Sequence, residues 1–268
     1  MPNRKEKDDL SLTLALMFRD KSQTPEWMQL ALDFEFIDDM AQKKMGQDET
    51  FRHLAEGSSP NARSRREGEE GWTPLMYEAD RGWGQSLRVL FLHNPDPNLK
   101  SDAGETALMI ACRKGNHAVF KELIIEFVLA EKKLDMNAAN KEGRTALMIA
   151  AENGNAECVN GLMNHGADPD LQDKDGRTAL ILAVQGKQIE CLRPLLKHPL
   201  NPMLKDNTGK SAIDYAREMD QTQVLAALEA KRKEYATAFG DAVDNDGLLT
   251  GQQVKVSKPF SLKKGPSA

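Results

Sequence analysis

Histidine and cysteine side chains are the first candidates for chemistry, because they bind metals and act as bases or nucleophiles. His165 and His198 lie 33 residues apart, and so do Cys158 and Cys191. If this spacing marks a repeated unit, equivalent side chains are too far apart to share a zinc ion, whose ligands lie within ~2.3 Å. We therefore interpret the histidines, with His93 at the same position of an earlier unit, as structural residues near helix ends. The cysteines are interpreted as buried apolar side chains, and neither a metal site nor a catalytic Cys–His pair is expected.

Three short segments resemble ligand-binding loops but lack required residues. Gly209–Ser211 matches the end of a phosphate loop, yet Leu204 stands where its earlier glycine would be. Gly82–Gly84 lacks the third glycine of a dinucleotide site. Residues 242–253 contain acidic positions of a calcium loop but end in Gln253 rather than Glu. No catalytic, cofactor or metal residue is assigned, and the sequence predicts a protein that is not an enzyme.

The length and composition are typical of a folded, water-soluble chain. At ~150 residues per domain, 268 residues suggest two globular units or one extended one. Hydrophobic residues make up 40% and charged residues 29% of the sequence. The net charge is -5, which argues against a nucleic-acid partner because phosphate backbones attract basic surfaces.

The cysteine count and the N-terminal segment predict a cytoplasmic location. Cys112 brings the cysteines to three, an odd number without paired zinc spacing, which favours reduced thiols. The apolar run Leu10–Phe18 ends in charged residues instead of a small-residue cleavage site. Its length of about nine residues is far below the ~20 that cross a bilayer. Neither Sec-type export nor membrane insertion is expected.

One sequence element recurs five times in the middle of the chain. Each copy has a hydroxyl residue two positions after a glycine, and these residues are Thr73, Thr106, Thr145, Thr178 and Ser211. Their separations are 33, 39, 33 and 33 residues, so a period of 33 is interrupted by one insertion of six. A second element closes three of the units, and its clearest copy is Leu-Met-Asn-His-Gly-Ala-Asp-Pro-Asp at residues 162–170.

These segments resemble the ankyrin repeat, whose unit has a Gly-x-Thr-Pro-Leu-His start, an Ala-Ala-x-x-Gly turn and a Leu-Leu-x-x-Gly-Ala-Asp end. The third unit is the closest match and reads Gly-Arg-Thr-Ala-Leu-Met-Ile-Ala-Ala-Glu-Asn-Gly from Gly143 to Gly154. The resemblance implies an all-α solenoid of about five helix–turn–helix repeats with hairpin fingers. Because such short helices are not stable alone, each pair must stack on neighbouring pairs about 10 Å away.

Four segments are predicted along the chain. They are a helical N-terminal extension, a degenerate capping repeat, the ankyrin repeats, and a terminal helix end with a flexible tail, at residues 1–35, 36–67, 68–230 and 231–268, respectively. Apolar residues at helical spacing predict helices over 27–41 and 224–238, and residues 10–18 are also assigned to a helix.

The units depart from the family pattern at three places. The residues at the position of the family histidine are Met76, Met109, Met148, Ile181 and Asp214. Apolar packing should therefore replace hydrogen bonding in four units. Glu78 stands where a small alanine is expected, which predicts looser packing in the first unit. The six inserted residues fall in or after 118–134, which predicts a lengthened outer helix in the second unit.

The resemblance also implies a protein partner on the face formed by the fingers and inner helices. The positions that match this face are Trp72, Arg81, Glu105, Arg113, Lys114, Lys141, Arg144, Asn153, Lys174, Arg177 and Lys210. Trp72 is the most specific of them, because an aromatic side chain on an exposed finger is typical of a binding hot spot. Packing against residues 63–70 would explain Trp72 equally well.

Arg144, Arg177 and Lys210 occupy one equivalent position in three successive units. This pattern is consistent with a basic ladder that contacts a partner. It is equally consistent with a solvated face whose charge is offset by Glu142 and Asp175.

The leading functional hypothesis is a non-enzymatic protein–protein interaction module, an adaptor, scaffold or inhibitor that binds a folded protein as a monomer. Two alternatives remain: a regulatory subunit or enzyme that uses the N-terminal helices, and a bacterial effector delivered into a host cell by a route other than Sec. The spacing from Leu129 to Asn137 also resembles the asparagine hydroxylation pattern of ankyrin domains.

Overall fold

The computed structural model describes residues 26–42, 47–82, 85–129 and 134–239. These residues form twelve helices and no strand, which confirms the predicted all-α class. The helices are α1 (Glu26–Ala41), α2 (Gln47–Glu56), α3 (Pro74–Arg81), α4 (Gln85–Leu92), α5 (Ala107–Lys114), α6 (His117–Leu129), α7 (Ala146–Glu152), α8 (Ala156–Asn164), α9 (Ala179–Gln185), α10 (Ile189–Leu196), α11 (Ala212–Glu218) and α12 (Thr222–Phe239). The helix predicted over 10–18, residues 83–84 and the tail from residue 240 lie outside the described residues.

The helices stack in two rows. Odd-numbered helices form an inner row and even-numbered helices an outer row, and each helix packs on the preceding helix of its own row. The pairs α3–α4 to α11–α12 are the five predicted repeats. None of the described helices combines the length and apolar composition that crossing a bilayer requires.

Hydroxyl side chains fix where the inner helices begin. The Oγ1 atoms of Thr106, Thr145 and Thr178 each accept a hydrogen bond, at 3.3 Å, from the backbone N–H three residues later. Ser211 does the same at the start of α11, at 3.4 Å. These N-caps satisfy donors that the first helical turn leaves open, which is the physical reason for the recurring hydroxyl residue.

Hairpin fingers connect the repeats, as predicted, and neighbouring fingers also hydrogen-bond to one another. Isolated antiparallel bridges close the fingers before α7 and α11. The backbone N–H of Lys174 donates to the Glu142 carbonyl at 3.0 Å, and that of Asn207 donates to the Asp175 carbonyl at 2.9 Å. A Cβ atom on Gly104 would lie 2.8 Å from the Lys141 nitrogen, so glycine permits this close approach of two fingers.

The loops that close the repeats form a second ladder. The side-chain Oδ1 atoms of four residues accept the backbone N–H of the next loop at 2.8 to 2.9 Å, and these residues are Asn61, Asn98, Asn137 and Asp170. At three of these joints between neighbouring loops the acceptor is therefore a neutral amide, and at the fourth it is a carboxyl group.

Two hydrophobic cores hold the stack together. The larger core runs from α3 to α12. The smaller one packs Phe36, Ile37 and Met40 of α1 and Leu54 of α2 against the first repeat. The α1–α2 pair thus packs on the first repeat, and the predicted segment boundaries at 35/36 and 230/231 fall inside α1 and α12.

The six-residue insertion lengthens the outer helix of the second repeat, as predicted. Helix α6 has 13 residues, against 8 in α4, 9 in α8 and 8 in α10. Its buried face carries Val119, Leu123 and Phe127, and Phe127 packs edge-on against Phe91 of α4 with the ring centroids 5.5 Å apart.

Candidate partner-binding groove

An open groove of about 590 Å³ crosses the finger bases and inner helices of the second, third and fourth repeats. Six of the eleven predicted partner residues line it, namely Glu105, Arg113, Arg144, Asn153, Lys174 and Arg177. Asn140, Glu142, Ile149, Glu152 and Asp175 complete its lining. Tertiary stacking thus brings together side chains that are as far apart in sequence as Glu105 and Arg177.

The turns at the finger bases hold the basic side chains in register. The backbone N–H of Arg144 donates to Asn140 Oδ1 at 2.8 Å, and that of Arg177 donates to Asp173 Oδ1 at 2.8 Å. Each arginine directly precedes the threonine that caps the next inner helix. Because the turn and the cap fix the backbone on both sides, the Arg144 and Arg177 side chains project from equivalent backbone positions.

Every member of the predicted basic ladder is paired with an acid of this chain. Arg144 Nη1 lies 2.5 Å from Glu152 Oε2, and Lys210 Nζ lies 2.7 Å from Glu218 Oε2. Arg177 Nη2 lies 2.9 Å from an oxygen of Asp173 and 2.6 Å from one of Asp175. The ladder is therefore a row of ion pairs rather than a row of open positive charges.

Ion pairs and burial shift the pKa values of three of the basic groups. The hydrogen bond to Glu218 is the main cause that raises the pKa of Lys210. For Arg177, burial acts to lower the pKa, but the hydrogen bond and charge of Asp173 raise it overall. Burial lowers the pKa of Arg113, which is ion-paired with Glu105.

The groove as a whole carries balanced charge. Its lining contains four acidic residues, Glu105, Glu142, Glu152 and Asp175, and four basic ones, Arg113, Arg144, Lys174 and Arg177. Ile149 is its single aliphatic lining residue. Such a surface offers alternating hydrogen-bond donors and acceptors instead of one strong field.

Three other predicted residues lie at the surface outside the groove lining. Lys114 Nζ pairs with Asp80 Oδ1 at 2.7 Å, and Lys141 is exposed on its finger. Lys210 lies one repeat beyond the groove and also approaches the ring of Tyr215, 5.5 Å from its centroid.

Trp72 is half-buried and packs against both hydrophobic cores. Its ring centroid lies 5.3 Å from that of Tyr77. The Trp72 backbone is tied into its finger, because the carbonyl accepts the Ser64 N–H at 2.8 Å. The Trp72 side chain therefore packs where the α1–α2 pair meets the first repeat.

Arg81, another predicted partner residue, turns its side chain into the stack. Its side chain is only 3% exposed, and Nη1 lies 4.0 Å from Oε1 of the fully buried Glu78. The guanidinium also lies 6.0 Å from the centroid of the Tyr77 ring. Glu78 and Arg81 are therefore neighbouring ionisable side chains inside the first repeat.

The structure also brings together a cysteine and a histidine that the sequence did not connect. Cys158 Sγ lies 3.6 Å from His117 Nδ1. The two residues are 41 positions apart and in different repeats. His165 instead sits at the end of α8, where its Nδ1 lies 2.8 Å from the Gly161 carbonyl oxygen, as predicted for a helix-end histidine.

Across residues 26–42, 47–82, 85–129 and 134–239, no three His, Cys, Asp or Glu side chains cluster in a way that could hold a metal ion. The chemistry that the groove itself offers is reversible recognition by hydrogen bonds and ion pairs.

Comparison with protein families agrees with this architecture. A model described as ankyrin repeats in three copies matches residues 39–127 and 84–173, and one described as ankyrin repeats in many copies matches residues 162–216. No curated protein matches the chain significantly. Ankyrin repeats are generally protein–protein interaction modules, and proteins built from them are typically not enzymes. The matched residues coincide with the stacked helix pairs, and the chain belongs to the ankyrin-repeat family.

Proposed function

We propose that the chain is a non-enzymatic adaptor or inhibitor that holds a folded protein partner in the groove of the second to fourth repeats. The convergence of six side chains from three repeats on one open groove carries this proposal. Small-molecule sites are typically enclosed and mainly apolar, whereas protein interfaces are broader and rich in arginine and hydrogen bonds. The groove resembles the second class.

The charge of the groove supports a protein partner over a nucleic acid. A phosphate backbone requires several unopposed basic side chains, and its binding depends steeply on salt. Here Arg144 and Arg177 are already paired with Glu152 and Asp173. A protein surface with charges of both signs matches this pattern better, because each ion pair of the groove can be extended by a further donor or acceptor.

We further propose that the chain acts as a cytoplasmic monomer. Its three cysteines are all free and buried, which suits a reducing compartment. The stack buries its own apolar core along its length, so it does not depend on a second copy for that purpose.

A charge-reversal experiment tests the groove. The groove variant combines Lys174→Glu, in the groove lining, with Lys141→Glu on the neighbouring finger, because both side chains are exposed and only their backbone atoms belong to the finger ladder. The control variant combines Arg88→Glu and Arg193→Glu, which are exposed on outer helices and change the net charge equally. Arg144 and Arg177 are left intact because their reversal would bring a second carboxylate to Asp173, whose side chain is 1% exposed.

Partners are captured from a lysate of the source cell with the unaltered chain. Their binding affinity for each purified variant is then measured. We expect the groove variant to bind at least about tenfold more weakly, a loss of about 1.4 kcal/mol, and the control variant to bind normally. Equal binding by both variants, or equal loss in both, would contradict the proposal. Thermal unfolding of each variant checks that the stack is unchanged.

A further inference from the structure

A second open groove, of about 500 Å³, lies beside the first helix, and we call it the α1 groove. Leu30, Phe34 and Ile37 form its apolar side, because residues four and three positions apart share one face of a helix. Leu30 is 51% and Phe34 is 66% exposed, whereas Ile37 is buried in the smaller core. The α1 groove therefore continues the smaller core outward into two large apolar side chains that are at least half exposed.

The opposite side of the α1 groove is polar, and most of its charges are paired. Arg63 Nη2 lies 3.6 Å from Asp102 Oδ1, and Arg66 Nη1 lies 2.8 Å from Asp38 Oδ1. Arg65 is exposed in the same lining and has no acidic partner among the residues that the structure describes. The α1 groove thus combines an apolar strip with one positive charge that is open to a ligand.

The ion pair between Arg66 and Asp38 gives the α1 groove a direction. Asp38 lies in the last turn of α1, so the arginine loop stands beside the C-terminal end of this helix, and Leu30 lies toward its start. Asp33 lies between them, and its Oδ1 already accepts the Ser59 N–H at 2.7 Å. A segment that fits the α1 groove therefore needs an apolar run with an acidic residue at the end that faces the arginine loop.

The chain has a segment of this composition directly before α1. Residues 10–18 read Leu-Ser-Leu-Thr-Leu-Ala-Leu-Met-Phe, without a charge, and Asp8 and Asp9 precede them. The seven connecting residues, 19–25, can span up to about 25 Å. The two exposed apolar side chains of the α1 groove lie only about 6 and 12 Å along the helix from its first residue. The connection is therefore long enough for residues 10–18 to turn back onto α1.

The order of residues in this segment matches the direction of the α1 groove. A chain that turns back at residues 19–25 runs antiparallel to α1, as in a hairpin of two helices. Phe18 then lies toward the start of α1, while Asp8 and Asp9 lie toward the arginine loop with its unpaired Arg65. A short covalent connection also gives the segment an effective concentration of about a millimolar, which favours it over a separate ligand.

We propose that residues 10–18 dock in the α1 groove antiparallel to α1, where they cover Leu30 and Phe34, and that Asp8 or Asp9 pairs with Arg65. The docked segment adds a layer to the end of the stack, where a repeat protein must shield its last apolar face from water. The inference does not depend on which protein the groove of the second to fourth repeats binds.

Hydrogen exchange of the full chain, followed by mass spectrometry, tests the docking. Nine residues are too few for a stable helix alone, so slow amide exchange in residues 10–18 reports a contact with the rest of the chain. We expect these amides to exchange at least about tenfold more slowly in the unaltered chain than in a synthetic peptide of residues 1–25. In the α1-groove variant, which combines Leu30→Gln and Phe34→Gln, they should exchange at the peptide rate.

The matched control variant combines Leu92→Gln and Ile189→Gln, which remove two exposed apolar side chains from α4 and α10, and it should keep the slow exchange. Exchange at the peptide rate in the unaltered chain, or slow exchange that survives in the α1-groove variant, would overturn the proposal. Slow exchange that is lost on dilution would also overturn it, because a second copy of the chain would then fill the α1 groove. Thermal unfolding checks that both variants keep the stack.

A charge swap tests the antiparallel direction. Arg65→Glu should speed the exchange of residues 10–18 about threefold, the size expected for the loss of an exposed ion pair. Adding Asp8→Lys and Asp9→Lys to the same chain should restore the slow exchange. Arg88→Glu, exposed on α4, changes the net charge equally and should have no effect. Equal exchange rates in Arg65→Glu and Arg88→Glu would exclude the pairing and the antiparallel direction with it.

Discussion

At the scale of single residues, Glu78 is the clearest departure from the repeat. The other four repeats have alanine at this position of the inner helix, namely Ala111, Ala150, Ala183 and Ala216. Glu78 is fully buried, and neither of its carboxylate oxygens accepts a hydrogen bond from a described residue. Burial raises its pKa to about 7, and the nearby Arg81 only partly opposes this shift. The buried carboxyl group is thus more easily accommodated when it is protonated.

This shift predicts a pH-dependent stability that Glu78→Gln removes. Because the folded-state pKa is raised, the stabilising contribution of Glu78 is fully present below about pH 4.5 and is lost as the pH rises through about 7. Gln keeps the volume and does not titrate. From pH 4.5 to pH 8, the free energy of unfolding of the variant should therefore rise by up to about 3 kcal/mol relative to the unaltered chain.

Urea denaturation at both pH values measures this difference. Glu190→Gln, on the exposed part of α10, serves as the control and should leave the pH profile unchanged. A parallel pH profile for Glu78→Gln and the unaltered chain would show that Glu78 does not titrate as inferred.

At the scale of elements, the joints between loops explain how successive repeats hold a common register. Asn61, Asn98 and Asn137 each accept a backbone N–H from the next loop, and Asp170 takes this role at the fourth joint. Burial raises the pKa of Asp170 to about 6, although the hydrogen bond from the Asn201 N–H opposes the shift. The fourth joint is therefore the one that changes its charge in this pH range.

We expect Asp170→Asn to stabilise the stack at neutral pH. The contribution of Asp170 to stability is complete below about pH 3.8 and is lost as the pH rises through about 6, whereas asparagine keeps the acceptor without the charge. Between pH 4 and pH 8, the variant should gain about 2 kcal/mol relative to the unaltered chain, after allowance for partial exposure. Urea denaturation measures the gain. The reciprocal variant Asn137→Asp should change the pH profile in the opposite direction, and a gain in both variants would refute the explanation.

At the scale of the whole molecule, acidic and basic side chains are nearly equal in number, and many of them pair with one another. The net charge is only -5 among 36 basic and 41 acidic residues. On the groove face, some ion pairs lie within one repeat and others link neighbouring repeats. For example, Arg144 Nε lies 3.7 Å from Asp173 Oδ2 of the next repeat. A partner therefore meets a surface with little long-range field, so short-range complementarity must dominate recognition.

This balance predicts that partner binding depends weakly on salt. Between 50 and 200 mM salt, we expect the dissociation constant of the captured partner to change by about threefold or less, since screened charges of both signs largely cancel. A ligand held by 6–10 phosphate contacts would lose about 10³–10⁵ in affinity over the same range. Titration calorimetry at several salt concentrations measures how the dissociation constant depends on salt. An affinity loss of about 10³–10⁵ over this range would refute a balanced interface.

The sequence alone determined the repeat, the all-α class and the start of each inner helix. These features depend on local chemistry, because a glycine turn, a hydroxyl N-cap and a short apolar helix recur at the same position of each repeat. Since such short helices are not stable alone, they must stack on one another. The insertion between Thr106 and Thr145 predicted the long α6 for the same reason. The finger positions of the groove also followed from the repeat register.

Only the tertiary structure decided which of these positions are available and which side chains meet. Repeat register places Arg81 and Lys114 at equivalent positions, but the Arg81 side chain is buried beside Glu78 while Lys114 is exposed and pairs with Asp80. Cys158 and His117 are 41 residues apart and meet only because α8 stacks on α6. Sequence periodicity predicts equivalent backbone positions, whereas burial and contacts between different repeats depend on the particular side chains that stacking brings together.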